Sequence, residues 1–234
     1  MSWSFVKATG LSSNPGALTV TVGITPTNAG DLLVADVYDG SNSGDQANVT
    51  CADNVNAGGY SQDGFNSLTS DGDTCCTFSH FNVAASATNV TATRTAASGG
   101  FFIRVTEYTG GPTTNSKDGA AVTGYNAGST SISSSTLTPS ASGDLLHATV
   151  GFPSGATSLT AGGSFTVGSG QFTANDRMGS CYQVLAGSGA TALAMTTSPS
   201  QEWASIMVGY KLSAGGGASY QPYMDYQTQP RLAQ

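Results

Sequence analysis

Charge is what this chain has least of. Charged residues make up 9% of its 234 positions, with seven Lys and Arg against fourteen Asp and Glu. The cations Lys7, Arg94, Arg104, Lys117, Arg177, Lys211 and Arg231 stand apart from one another. A phosphate backbone is held by clustered Lys and Arg, so the sequence reads against nucleic acid as a partner. No apolar run approaches the roughly eighteen residues of a membrane span, which reads against a membrane partner. The opening MSWSFVKATG has neither a basic stretch nor an apolar core, so no export signal is read there.

Catalytic signatures are equally sparse. The chain has two histidines, His80 and His147, each inside a strand-like pattern. No G-x-S-x-G elbow occurs, and with so few carboxylates a glycosidase pair has little support. The reading is non-enzymatic, with no cofactor. Cys51, Cys75, Cys76 and Cys181 lack the C-x-x-C spacing of a zinc site. They read as buried free thiols, or as a bridge from Cys51 to Cys75 or Cys76, or as bonds between subunits. Asp71 and Asp73 in SDGDT are the only calcium candidates, and the glutamate that closes an EF-hand loop is missing. Asp-Gly reads there as a tight turn, and no metal is expected.

Good helix formers are scarce, whereas Val- and Thr-rich runs alternate with Gly, Ser and Asn clusters. The predicted class is all-β. Within it, TPTNAGDLLVADV from Thr25 and TPSASGDLLHATV from Thr138 agree at eight of thirteen positions. The match extends upstream from Asn14 against Ala127, and downstream from Asn82 against Val184. Its offset is 113 residues before the middle loops and 102 after them, so the first copy carries about eleven extra residues between Tyr38 and Cys75.

Each copy reads as about seven strands, enough for one antiparallel sandwich. The expectation is two tandem β-sandwich domains from an internal duplication, residues 1–112 and 113–213, Ig-like or jelly-roll-like. An extended C-terminal arm, 214–234, follows them. One large jelly-roll sandwich is the alternative.

Alternation assigns the faces. Leu33, Ala35 and Val37 match Leu146, Ala148 and Val150, all apolar, and read as core. Between them Val34 becomes His147 and Asp36 becomes Thr149, a drifting face expected to meet solvent or a partner. The last strand shows a related change. Arg104 becomes Ile206 and Thr106 becomes Val208, which leaves that strand apolar on both faces. Ile206 and Val208 are therefore partner-facing candidates, covered by the other domain or by a neighbouring subunit.

The arm opens with Gly215, Gly216 and Gly217 and then places Tyr220, Tyr223 and Tyr226 every three residues, with Arg231 beyond. In polyproline II that spacing aligns the rings along one side. The three tyrosines and Arg231 are assigned to partner contact, against the alternative of a frayed or self-packed tail. Tyr38, Tyr60, Phe65 and Tyr125 are read as loop aromatics that would suit a sugar-binding face.

GDLLVA, the NVAA segment with its following strand, RVTEYTG, the second GDLL and the final WASIMVGYKL resemble a group of β-sandwich proteins. These occur in bacteriophage virions and in bacterial surface or secreted proteins. The resemblance covers about residues 1–212. It implies a structural or adhesive module and brings no catalytic residues with it. A low-charge, Gly/Ser/Thr-rich surface without a visible export signal fits a protein released within a virus particle. The expected function is a virion structural protein, a capsid decoration or cement protein, or else a tail or fibre component. Its expected partners are the major capsid protein or other virion proteins, and further copies of itself in a homo-oligomer. A secreted adhesin or carbohydrate-binding module at the cell surface is the alternative, open also if a signal has been trimmed.

Overall fold

The computed structural model describes residues 2–40, 49–56, 58–68, 72–96 and 99–212. Every regular element among them is a β-strand. The first half of the chain supplies β1 (Ser4–Ala8), β2 (Ser12–Ser13), β3 (Thr19–Ile24), β4 (Leu32–Gly40), β5 (Thr50–Asp53), β6 (Ser61–Ser67), β7 (Thr74–His80), β8 (Thr88–Thr93) and β9 (Gly100–Thr109). The second supplies β10 (Val122–Ser133), β11 (Leu145–Ala156), β12 (Ser158–Ala161), β13 (Asp176–Val184) and β14 (Ala194–Tyr210).

They form three antiparallel sheets. A six-stranded sheet runs β1-β9-β4-β7-β6, with β2 beside β9. A five-stranded sheet runs β10-β14-β11-β13, with β12 beside β14, and a small sheet runs β3-β8-β5. Among the named strands no ladder joins the two halves of the chain. The expected all-β, sandwich-like architecture is the one observed.

The strand alternation works as read. Leu33, Ala35 and Val37 bury against Val20, Val90 and Ala92 of the small sheet, forming a first core drawn wholly from the first half. Leu146, Ala148 and Val150 bury with Ile132, Leu159, Phe165 and Met195 in a second core drawn wholly from the second half. Strands β10 and β14 reach both layers of that half. Their pairing slips between Asn126 and Ser131, and such irregularities let one strand bend from layer to layer.

A third core lies between the two large sheets, where Leu32, Val34, Tyr38 and Tyr108 meet Leu145, Ala204, Ile206, Val208 and Tyr210. Each large sheet is thus covered on both faces. The drifting face does not meet solvent, because Val34, Asp36, His147 and Thr149 are all fully buried. What covers it is the other half of the same chain.

The repeated phrase takes the same place in both large sheets. Leu32 pairs with Tyr108 and Asp36 with Arg104, while Leu145 pairs with Tyr210 and Thr149 with Ile206. These pairs keep the offsets of 113 and 102 found in the sequence. In the neighbouring ladder the match slips by one residue. Leu33 faces His80 and Leu146 faces Gln183, so His80 corresponds to Gln183 rather than to Tyr182. A slip of one exchanges the faces of a strand, and the ladder decides it.

Candidate functional site

A cluster of polar and titratable side chains lies in the seam between the two large sheets. Asp36 projects from β4 and accepts hydrogen bonds from His147 Nε2 at 3.0 Å, from Thr149 Oγ1, and from Thr77 Oγ1 at 3.3 Å. On the other side of the imidazole, His147 Nδ1 lies 2.8 Å from the Tyr108 hydroxyl. Gln171 Nε2 donates to that same hydroxyl oxygen at 3.2 Å. The phenolic proton is then directed to Nδ1, and the imidazole proton sits on Nε2, facing Asp36. Burial holds the Tyr108 phenol well above its ordinary titration range, in keeping with its role as donor.

Arg104 crosses the seam from β9. Its Nη1 donates to the carbonyls of Gln171 and Met178, the latter at 3.0 Å, and its Nη2 pairs with the Asp176 carboxylate. Burial lowers the guanidinium pKa, and the hydrogen bond and charge of Asp176 oppose that shift. Further links join the halves nearer the edge. Tyr210 donates to Asp63 at 2.7 Å, Lys117 lies 3.4 Å from the same carboxylate, and Asn66 Nδ2 donates to the Gly124 carbonyl at 2.7 Å. Phe5 stacks on Tyr182 with ring centres 5.2 Å apart. Buried hydrogen-bonded networks favour one arrangement, although Arg104 Nε and Asp63 Oδ1 have no hydrogen-bond partner. The seam is built to hold two sheets in one register.

The two Thr-Pro turns end at carboxylates used alike. Asn28 N donates to Asp31 at 3.3 Å and Ala141 N to Asp144 at 3.1 Å. The preceding amides differ in acceptor, Thr27 N giving to Glu107 and Ser140 N to Asp118. Gly209 stands where Glu107 would be matched, and a side chain there would come within 3.3 Å of the Asp118 Cβ. The second carboxylate therefore enters from another part of the chain. Gly30 and Gly143 take φ of 94° and 86°, the left-handed conformation that the Gly-Asp step was read to require.

The residues singled out by sequence fall as follows. Ile206 and Val208 lie in the seam, fully buried, so the first half of the chain covers them and no neighbouring subunit can reach them. All four cysteines are free and buried, in place of the bridge from Cys51. Cys51 and Cys76 belong to the first core, Cys75 to the seam and Cys181 to the second core. Adjacent residues of a strand point to opposite faces, which separates Cys75 from Cys76. Burial pushes the Cys76 thiol up to about 12 and raises the other three above their usual range.

Asp73 is buried and accepts from the Tyr38 hydroxyl at 2.5 Å, whereas Asp71 lies outside the described residues. Among the described residues no group of three metal-ligating side chains occurs, and no helix is long and apolar enough to cross a membrane. His80 bonds the Gly59 carbonyl at 2.9 Å, away from the seam cluster. Of the four aromatics read as exposed, Tyr38 and Tyr60 are buried, while Phe65 and Tyr125 remain 50% and 37% exposed. Tyr220, Tyr223, Tyr226 and Arg231 lie outside the described residues.

No protein-family model matches this chain, and no curated protein does. Among solved structures, it is similar to the crystal structure of the major capsid protein P2 from Bacteriophage PM2. That likeness has 11% identity and a TM-score of 0.29, over 92% of this chain and 99% of the other. A likeness this slight identifies neither a fold nor a role.

Proposed function

We propose that this chain is a non-enzymatic structural protein of a bacteriophage virion, one that decorates and cements the capsid, with a tail or fibre position as the other placement. One observation carries the reading. The imidazole–carboxylate cluster of Asp36 and His147 is closed on every side, with both ring nitrogens and the carboxylate engaged and all of them fully buried. A nucleophile–base pair serving catalysis must meet a substrate, and this one meets only the other sheet. Its chemistry goes into cohesion. Three cores joined by such a seam suit a structural role.

The partners in this reading are the major capsid protein or other virion proteins, with further copies of the chain beside it. Tyr220, Tyr223, Tyr226 and Arg231 would supply the contacts that lock neighbours together. The test is quantitative mass spectrometry of purified source particles, followed by reconstitution with a chain ending at Leu212. The proposal expects a fixed ratio to the major capsid protein and loss of occupancy on truncation. Absence of the chain from washed particles overturns the virion reading. Undiminished occupancy of the shortened chain overturns the arm.

A further inference from the structure

We infer that the seam binds one sealed structural water between Arg104, Thr106 and Ser180, an inference independent of the virion reading. These three residues are fully buried, and each carries a polar atom without a hydrogen-bond partner: Arg104 Nε, Thr106 Oγ1 and Ser180 Oγ. A buried donor or acceptor left unpaired is costly, so three that lie together point to a shared partner.

The strands bring the three atoms to one place. Arg104, Thr106 and Tyr108 alternate along β9 and face the seam, while Met178, Ser180 and Tyr182 alternate along β13 and face it from the other sheet. Arg104 Nη1 reaches the Met178 carbonyl at 3.0 Å, and four residues on the Tyr108 and Tyr182 rings meet with centres 5.7 Å apart. The two strands run in step between those contacts, which puts Thr106 opposite Ser180. Arg104 Nη1 also donates to the Gln171 carbonyl, which accepts the Ser180 amide at 3.0 Å. The guanidinium therefore lies beside Ser180.

The chemistry and the size of the gap both fit water. Stacked sheets stand about 10 Å apart, and Thr and Ser are too short to close that distance where two tyrosines can. A water there accepts from Arg104 Nε and donates to Thr106 Oγ1 and Ser180 Oγ, about the number of bonds a buried water makes. Charge argues against an ion. Asp176 already pairs with the guanidinium, and Asp36 is the ladder partner of Arg104, so an anion would meet carboxylates and a cation would meet Arg104. An apolar molecule would leave all three atoms unpaired. Ser180 is in turn the ladder partner of Thr149, which is bonded to Asp36. The water thus closes a row of polar contacts that runs from Asp36 to Asp176.

A high-resolution crystal structure of the full chain tests this directly. One ordered water should lie about 2.7–3.2 Å from each of Arg104 Nε, Thr106 Oγ1 and Ser180 Oγ. In solution, oxygen-17 relaxation dispersion should count one long-lived water fewer in the double variant Thr106→Val with Ser180→Ala than in the parent. Urea unfolding supplies an independent sign. Thr106→Val keeps the side chain's shape, so beside a bound water it removes a partner and should lower the midpoint. In a dry seam the same change relieves an orphaned hydroxyl and raises the midpoint. No water density at the three atoms, or a direct bond between Thr106 and Ser180 in its place, overturns the inference. An unchanged water count does so too, as does a midpoint that rises or stays where it was. None of these measurements needs a particle, so their failure and that of the virion reading are separate results.

Discussion

Asp36 and Thr149 occupy the same position of the repeated phrase, 113 residues apart, and they are hydrogen-bonded to each other. Tyr38 and Gly151 are related by the same offset and also meet, since a Cβ on Gly151 would lie 2.7 Å from the Tyr38 ring. Like positions touch when two matching faces pack about a two-fold axis. That geometry explains the drift between the two phrases. Asp opposite Asp would bury two carboxylates in contact, and Thr149 replaces one with a hydroxyl donor. His147, in place of a second valine, brings the other strong donor. Identical faces could not have satisfied one another, whereas complementary ones do.

The first prediction concerns this contact. Asp36→Ala leaves the His147 and Thr149 donors and the Thr77 hydroxyl without their shared acceptor. Each buried donor left without an acceptor costs about 1–3 kcal/mol. Urea denaturation should show a loss of that size. Thr149→Val should cost about 1.5–3 kcal/mol, the worth of a hydrogen bond to a charged group. A double-mutant cycle between Asp36 and His147 should return a coupling clearly different from zero. Additive losses would show that the cluster is not a unit.

Much of this architecture was legible beforehand. Period-two alternation identified Leu33, Ala35 and Val37 as core, and the Gly-Asp steps located the turns, because both signals are local. The offsets of 113 and 102 recur in the structure as equivalent pairs of the β4–β9 and β11–β14 ladders, although which strands pair was not read from the sequence. What covered the second face was not legible. Arg104, Asp36 and His147 are polar residues inside strands, a signature shared by solvent-facing strands and by buried polar seams. Only their complementarity across a long-range contact separates the two cases. Strand β6 carries no strand signal for another reason: SQDGFNS is polar, contains Gly and lacks β-branched residues, which an edge strand tolerates.

A second prediction follows from the closeness of the sheets at Gly151. An added Cβ would lie 2.1 Å from Cys75 Sγ as well as against Tyr38, both buried groups with little room to retreat. Gly151→Ala should therefore destabilise by about 1–3 kcal/mol through overpacking. Gly128→Ala, with nothing within 4 Å of the new atom, is the matched control and should be close to neutral. Thermal melts of the two variants make the comparison. Equal melting temperatures would mean the sheets can part at no cost.

Thiol chemistry provides a third. The four cysteines are buried and their thiolates disfavoured by desolvation, so the attacking form is both scarce and shielded. A thiol-reactive reagent at neutral pH should label none of them in the folded chain and all four in denaturant. Their labelling rate below the unfolding midpoint should track global opening. Rapid labelling of the native chain would show that a core opens locally.

The carboxylates of the two turns set the pH dependence. Burial raises Glu107 and Asp144, each helped by its neighbouring carboxyl, Asp31 or Asp118, and opposed by backbone amides. A raised acid keeps its proton in the folded state at a pH where the unfolded chain has lost it. Its stabilisation is complete below the ordinary carboxylate range and is lost as pH rises through the folded value. Asp53 and Asp118 work in the opposite sense, because hydrogen bonds to the charged form outweigh burial and lower them. Their stabilisation is complete above the ordinary range and is lost as pH falls through the folded values. Stability should thus decline on both sides of the ordinary carboxylate range. Glu107→Gln cannot ionise, so its unfolding free energy relative to the parent should rise as pH increases across the high-side window. A parallel pair of stability curves for Glu107→Gln and the parent would show that Glu107 titrates alike in both states.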